Sequence, residues 1–549
     1  MSAHDYIVVG AGSAGSIVAA RLAEEPGASV FVLEAGPADT SVLLAMPAAA
    51  AYALRREKWT WRYETGPEPA LDGRAIRHPR GRVLGGSSSI NGMVFVRGAA
   101  ADFDGWAEEG LTGWSHADCL PYFRRMERFE AGASAERGGD GPLHVIRQKA
   151  DHPLFEAMIA AAEQAGLRYN PDYNAAWREG VHRHQANIRD GRRDSASRAY
   201  LHPAARARNG RGGIEIRTGA TAHRILFDGA RRAVGVVFER RGVVETAHAA
   251  REVILCAGAY ESPHLLLLSG IGPADQLRAH GIPVVADLPA VGVGLEDHLG
   301  VGIGRRASRA GISPAIHAGP VGKGLIGLRW LLTGGGLGAR NFWETGAFLR
   351  SDDRAARPDI QHEFLPMTGG LSGGTLQVTD GFRYSVSLMR PESRGTVSLA
   401  SADPRVAPRI VSGYLTAPGD LPALMRGVRR TMEIIRQPAW DALRGPADGP
   451  DPDALDDREL AAWIRSAGGT YFHPTSTCRM GVDERSVVDA EGRVRETQGL
   501  RVVDASVMPH VVSGNTNAAV MMIAEKLSDA IRGRRPPPAS RANAPPPGA

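Results

Sequence analysis

A chain of 549 residues is too long for one ordinary hydrophobic core, so two or more domains are expected. Its composition is globular, 43% hydrophobic and 23% charged, and a formal net charge of +5 is spread as scattered arginines. Without clustered cations interleaved with aromatics, nucleic-acid binding is excluded, and three distant cysteines, Cys119, Cys256 and Cys478, exclude a disulfide framework or a CxxC metal site.

The stretch Asp5 to Gly36 reads as one nucleotide-binding unit. Ile7-Val8-Val9 feeds into Gly10, Gly12 and Gly15, and Ser16 to Ala23 then carries small and apolar residues at helical spacing. The first glycine permits a tight turn, the second lets backbone approach a pyrophosphate, and the third lets helix pack on strand. Ser13 and Ala14 open the helix, so phosphate meets its N-terminus. A second apolar run, Ser29 to Leu33, ends at Glu34 and Ala35, with Glu34 placed to accept from a ribose hydroxyl. These residues leave NAD and FAD undivided.

Lys58 to Tyr63 alternates aromatic and polar residues, as a strand does. Gly81 to Gly92 follows, a row of small residues that includes Arg82, Val83, Gly86, Ser87 and Asn91 and suits close approach of backbone to a flat or charged ligand. Met93-Val94-Phe95-Val96 resumes apolar order. Pro153 to Ala165 is helical by its spacing, while His182 and His184 lack a third ligand for a metal and are read as surface or cleft-lining polar residues. From Ile214 to Val244 short β-branched runs predict antiparallel strands, and Arg251 to Ala257 predicts a buried strand before a helix from Pro263.

No apolar run approaches the roughly 18 residues of a membrane span, so a cytoplasmic location is expected. Gly324 to Gly338 reads as a core-packed helix ended by glycines. Its alternative is peripheral contact with the inner face of a membrane through Leu328, Trp330 and Leu331. The Pro/Ala-rich tail, 533–549, is expected to be disordered.

Four blocks carry a resemblance. The segment GRVLGGSSSINGMVFVRG is similar to the first signature of the glucose–methanol–choline (GMC) family of flavoprotein oxidoreductases, and Gly258 to Gly272 is similar to the second. His473 to Gly481 and Val503 to Ala518 resemble its C-terminal pattern. Trp59 to Pro69, Gly98 to Trp106, Cys119 to Arg124 and Pro358 to His362 resemble choline dehydrogenases and related alcohol dehydrogenases within it.

The resemblance implies an α/β fold: a discontinuous Rossmann-like FAD-binding domain at 1–150, 213–300 and 466–532, interleaved with an α+β substrate domain at 151–212 and 301–465. It implies FAD as cofactor, contacted by the glycine unit, by Arg82 to Val94, by Ala222, by Asp504 and Ala505, and by Asn515, Thr516 and Asn517. Some members link FAD covalently through a histidine before the asparagine equivalent to Asn91; Ile90 stands there, so FAD is expected to be non-covalent.

Alcohol oxidation needs a base for the hydroxyl proton and an acceptor for the hydride. Histidine is the natural base because its ordinary pKa lies near neutrality, and the family pattern gives that task to His473; Asn515 orients the oxygen, with Asn517 as the alternative partner. Hydride would pass to flavin N5, giving an aldehyde. Glu344 and Tyr471 are candidate substrate contacts, Glu344 as a carboxylate beside aromatics for a quaternary ammonium or as a polar residue holding a loop. Electrons would pass to oxygen or a quinone-like acceptor. Competing readings are an oxygen-using alcohol oxidase, a non-redox lyase of the same fold and a flavin-binding protein without turnover.

Overall fold

The protein is described by a computed structural model that covers residues 4–207, 213–372 and 375–540. Tyr6 to Val9 are buried throughout, which a strand covered on both faces requires. That strand, His4–Val9, pairs in parallel with Ser29–Glu34 on one side and with Val243–Leu255 on the other. Gly213–Thr218 and Leu500–Val502 add further parallel strands outside these. The register sets Val9 beside Leu33 and Leu255, and Leu255 beside Val502. The strands therefore end level, and the chain leaving them through Gly10, Glu34, Cys256 and Val503 opens one crevice at their carboxyl ends.

Glycine is required at the turn. Gly10 has φ +96°, and a Cβ there would stand 2.6 Å from the Cys256 carbonyl oxygen; a Cβ on Gly15 would stand 1.8 Å from that of Gly10. The helix Ser13–Leu22 thereby lies flat on its strand and packs against the last helix, Asn517–Ile531, where Arg21 and Tyr200 both donate to the buried Glu525 carboxylate at 2.7 Å. Asn517 is the first residue of this last helix.

The antiparallel extension of this sheet runs through Ala220–Phe227, Ala233–Arg240 and the first half of Val243–Leu255. The expectation of antiparallel strands from Ile214 onward is corrected at its start. Gly213–Thr218 is parallel, because it pairs with Ser29–Glu34, far away in sequence, a choice that no local pattern encodes.

A second seven-stranded sheet is antiparallel. Its order is Arg444–Ala447, Leu299–Ala307, Gly381–Leu388, Ile360–Leu365, Thr345–Leu349 and Gly180–Arg183, with Gly469–Thr470 paired to Leu299–Ala307. Helices Pro153–Gln164, Asp420–Ile435 and Asp457–Ala467 cover one face and form a second core with Phe364, Phe382, Tyr384 and Trp440. The opposite face turns toward the crevice of the first sheet.

Two expectations fail on burial. His182 and His184 are neither on the surface nor on the cleft wall: both are fully buried, with His182 stacked on Phe348 and tilted against Tyr173. The helix Pro320–Thr333 is not core-packed, since only Trp330 is buried and Val321, Leu325, Leu328, Leu331 and Leu332 face outward. Residues 541–549 of the predicted tail lie outside the described residues, and the preceding part leans on the body through Ser540, whose N–H donates to the Ala117 carbonyl at 2.9 Å.

Candidate active site

A cavity of about 1050 Å³ occupies the space between the two sheets. At its first-sheet end the wall consists of Gly10, Gly12, Ser13, Ala14, Glu34 and Ala35, with Ala222 beyond. The positive end of the ten-residue helix Ser13–Leu22 points into it. Backbone meets backbone here: Gly86 has φ +53°, and a Cβ on it would stand 2.7 Å from the Gly12 Cα. Such a cradle admits a pyrophosphate against main-chain N–H groups.

Glu34 is buried, and its carboxylate accepts from the Ala11 N–H at 3.0 Å and the Gly36 N–H at 2.8 Å. Each oxygen keeps a lone pair for a ribose diol. Burial pushes the carboxyl up to about 7, despite those two donors.

Further along, Gly86, Ser87, Asn91, Gly92, Met93 and Val94 form one wall, and Asp504, Ala505, Asn515, Thr516 and Asn517 another. The Asn91 side chain bridges Arg193 Nη1 at 2.7 Å and the Met93 N–H at 3.0 Å, which holds Met93 at φ +63°. Asp504 accepts from the Gly258 N–H and the Ser262 and Ser506 hydroxyls, so it ties three segments together under the wall.

Four expected contacts are not on this wall. Gly15 packs helix to strand, Arg82 lies over the Trp61 ring, and Val83 is buried with Leu44, Trp59 and Ile90. Glu344 is fully buried, and its Oε2 accepts from the Ala150 N–H at 2.8 Å while Oε1 lies 3.5 Å from Arg340. It holds a loop and does not face the cavity, because it lies next to Thr345–Leu349 with its side chain turned away from the wall formed by Asn341, Phe342 and Trp343.

The carboxylate beside Asn515 in the cavity is Glu363, which the sequence reading missed. In Ile360–Leu365 the side chains alternate: Ile360, His362 and Phe364 face the core or helices, whereas Gln361 and Glu363 reach Asn515. Glu363 shares the wall with Tyr471, Phe342, Trp343 and Trp61, and burial pushes its carboxyl above the usual range.

His473 and Asn515 are brought together. Asn515 Nδ2 lies 3.3 Å from His473 Nε2 and donates to Glu363 Oε1 at 2.9 Å, while Asn515 Oδ1 accepts from Gln361 Nε2 at 3.0 Å. Gln361 thus turns the amide N–H group, not the carbonyl, toward the histidine. Asn517 is engaged elsewhere, accepting from the Ser13 hydroxyl at 2.7 Å.

On its other side His473 Nδ1 lies 2.8 Å from His298 Nδ1. His298 Nε2 faces the Met389 carbonyl at 3.1 Å, which can only accept. A neutral His298 therefore carries its proton on Nε2, its Nδ1 accepts, and His473 donates from Nδ1. The His473 Nε2 lone pair faces the cavity and the Asn515 amide N–H. Burial, with the neighbouring His298 and Arg80, holds His473 well below the ordinary histidine pKa, and burial brings His298 down to about 4.

Asp297 fixes the segment. It is buried and accepts from the N–H groups of His298 and His473 and from the Thr470 and Tyr414 hydroxyls. Arg80 donates to the Phe472 carbonyl at 2.7 Å, and Phe472 is held at φ +66° just before the histidine. Neither Asp297 nor His298 was singled out from sequence; the run Glu296-Asp297-His298, polar yet followed by a β-branched strand, was the available signal.

Among the described residues, no group of three or more His, Cys, Asp or Glu could hold a metal ion.

Two family models, both described as GMC oxidoreductase, match residues 4–300 and 391–524. An oxygen-dependent choline dehydrogenase of Burkholderia multivorans is 45% identical, with 99% of this chain and 95% of that protein covered. One of Paraburkholderia xenovorans is 44% identical, with 97% and 94% covered. Among solved structures, pyridoxine 4-oxidase from Mesorbium loti is similar at 30% identity and a TM-score of 0.86, covering 97% of this chain and 100% of that one. Formate oxidase gives 27% identity and a TM-score of 0.89, covering 97% and 98%. The cofactor is FAD, and the glycine cradle, the Glu34 carboxylate and the long cavity fit it.

Proposed function

We propose that this chain, which belongs to the GMC oxidoreductase family and oxidises alcohols with FAD, acts on a primary alcohol bearing a cationic group. Bound FAD supplies the acceptor for two electrons and the carbon-bound hydrogen. His473 Nε2 takes the hydroxyl proton. Asn515 turns toward the alcohol oxygen the N–H now directed at His473, and Gln361 and Glu363 keep that amide from flipping. The observation that carries the reading is the His473 lone pair, aimed into the cavity by His298.

Glu363 with Tyr471, Trp343, Phe342 and Trp61 supports the cationic group, since a carboxylate and aromatic faces are what a quaternary ammonium needs. The choline in the names of the curated relatives points the same way. FAD is held without a covalent link, Ile90 offering no nucleophile. The Rossmann-like sheet and the antiparallel sheet support a division into interleaved flavin and substrate units.

For the reduced cofactor we favour dioxygen as acceptor, after the names of those relatives, over a quinone-like molecule. Three buried, unpaired cysteines support a cytoplasmic location. The test is to follow visible absorbance without oxygen while choline and a panel of primary alcohols are added. Loss of the oxidised-flavin bands with choline is expected. Bands that no alcohol bleaches would favour the lyase or silent-flavoprotein reading. Admitting air should then restore the bands; recovery only with an added quinone would replace dioxygen as acceptor.

A further inference from the structure

The helix Pro320–Thr333 is built with its apolar side outward. At 100° per residue Val321, Leu325, Leu328 and Leu332 fall in one stripe, and Trp330 lies opposite. The stripe, with Leu331 and the preceding Ile316, is 54–76% exposed, whereas Trp330 is 1% exposed and anchors the helix by donating from Nε1 to the Gly191 carbonyl at 2.7 Å. An ordinary surface helix would have this arrangement reversed. A patch of this kind marks an interaction surface.

Two observations say what covers it. The first is charge: the helix carries Lys323 and Arg329 and no acid, and Asp190, an exposed acid behind its C-terminal end, is paired with Arg189. The second is position. The cavity wall includes Tyr52, Arg55, Arg56, His317 and Lys323, all exposed, so the mouth opens between residues 48–56 and 314–326, beside the stripe. Lys323 Nζ lies 5.6 Å from the Tyr52 ring across it. Arg55, Arg56 and Lys323 at the mouth and Arg329 on the helix thus form a cationic rim beside an apolar stripe, the combination that an anionic lipid surface takes.

We propose that Pro320–Thr333 is an interfacial helix that docks the enzyme on an anionic lipid bilayer, with the cavity mouth held at headgroup level. The leucine stripe enters the acyl boundary, and Lys323, Arg329, Arg55 and Arg56 meet lipid phosphates. Solutes that partition into the bilayer then reach the mouth directly. This holds whichever alcohol is the substrate.

The test is sedimentation of the FAD-loaded, full-length enzyme with vesicles of phosphatidylcholine mixed with phosphatidylglycerol, and with phosphatidylcholine alone. The wild type should bind the mixed vesicles, more weakly in high salt, and far less the neutral ones. A triple variant, Leu325→Gln with Leu328→Gln and Leu332→Gln, should lose partitioning by at least about tenfold. Its flavin spectrum, Tm and dye-linked turnover should stay those of the wild type, since none of the three lines the cavity. Failure of the wild type to sediment with mixed vesicles, or equal partitioning of wild type and variant, would overturn the proposal. So would a dimer that the triple variant dissociates while neither form binds lipid, because the stripe would then belong to a second copy.

Discussion

The Nδ1 atoms of His298 and His473 lie 2.8 Å apart, and this contact decides which nitrogen of His473 is free to act as a base. His298 is itself fixed by the Met389 carbonyl, so the proton order runs in one direction: His473 donates, His298 accepts and donates onward. Replacing His298 with Ala removes the acceptor without touching the cavity wall. The variant is expected to keep its affinity for substrate and to lose kcat on the order of tenfold or more, as other enzymes do when a catalytic imidazole takes the wrong tautomer. The kcat and KM split checks this, with the ¹⁵N shifts of His473 as a direct readout of tautomer.

Glu363 and Glu344 are nineteen residues apart and have opposite fates. Glu363→Gln should raise KM for choline strongly and leave KM nearly unchanged for the uncharged isostere with a tert-butyl group in place of trimethylammonium. Glu344→Gln should affect neither KM and should lower Tm instead, because it weakens the contacts to Ala150 and Arg340. Steady-state kinetics on the two substrates separates the pair.

Gly86 tests the cradle. Its φ of +53° and the 2.7 Å at which an added Cβ would meet the Gly12 Cα leave no room for a side chain. Gly86→Ala is therefore expected to yield a protein depleted of FAD, which the ratio of visible to ultraviolet absorbance measures directly.

Burial of histidines sets the response to acid. His78 and His362 are brought down to about 3, and His184 and His298 to about 4, from 6.5 in the unfolded chain. Between those values the unfolded state binds protons that the native state does not, so unfolding becomes easier as pH falls. The stability is complete above pH 6.5 and is lost progressively toward pH 4 for His184 and His298 and toward pH 3 for His78 and His362, by about 3 kcal/mol for a group brought from 6.5 to 4. Tm measured across that range should fall steadily. The same sign applies to turnover: a histidine held well below 6.5 stays a competent base through mildly acidic pH, so kcat/KM should remain flat where an ordinary histidine would titrate.

The parts of this fold that were legible in the sequence are local ones. Asp5 to Gly36 could be read because strand, turn, helix and acid follow one another within one unit, and His473 because a dense block of family residues surrounds it. Glu363 was missed because its meaning depends on strand alternation in a sheet assembled from distant segments, which places His362 inward and Glu363 in the cavity. Glu344 looked more suitable only because aromatics precede it in sequence. His298 gained its role from a contact across the fold. The helix Pro320–Thr333 was misread for a simpler reason: its apolar spacing is real, and sequence alone does not say which side of it meets the protein.

The central claim is that His473 is the base. Anaerobic stopped-flow reduction of the bound flavin by choline, compared between the wild type and His473→Ala, tests it most directly. The account predicts FAD still bound and reduction slowed by about 10²–10⁴-fold, the usual share of a general base. An unchanged reduction rate in the FAD-loaded variant would contradict it.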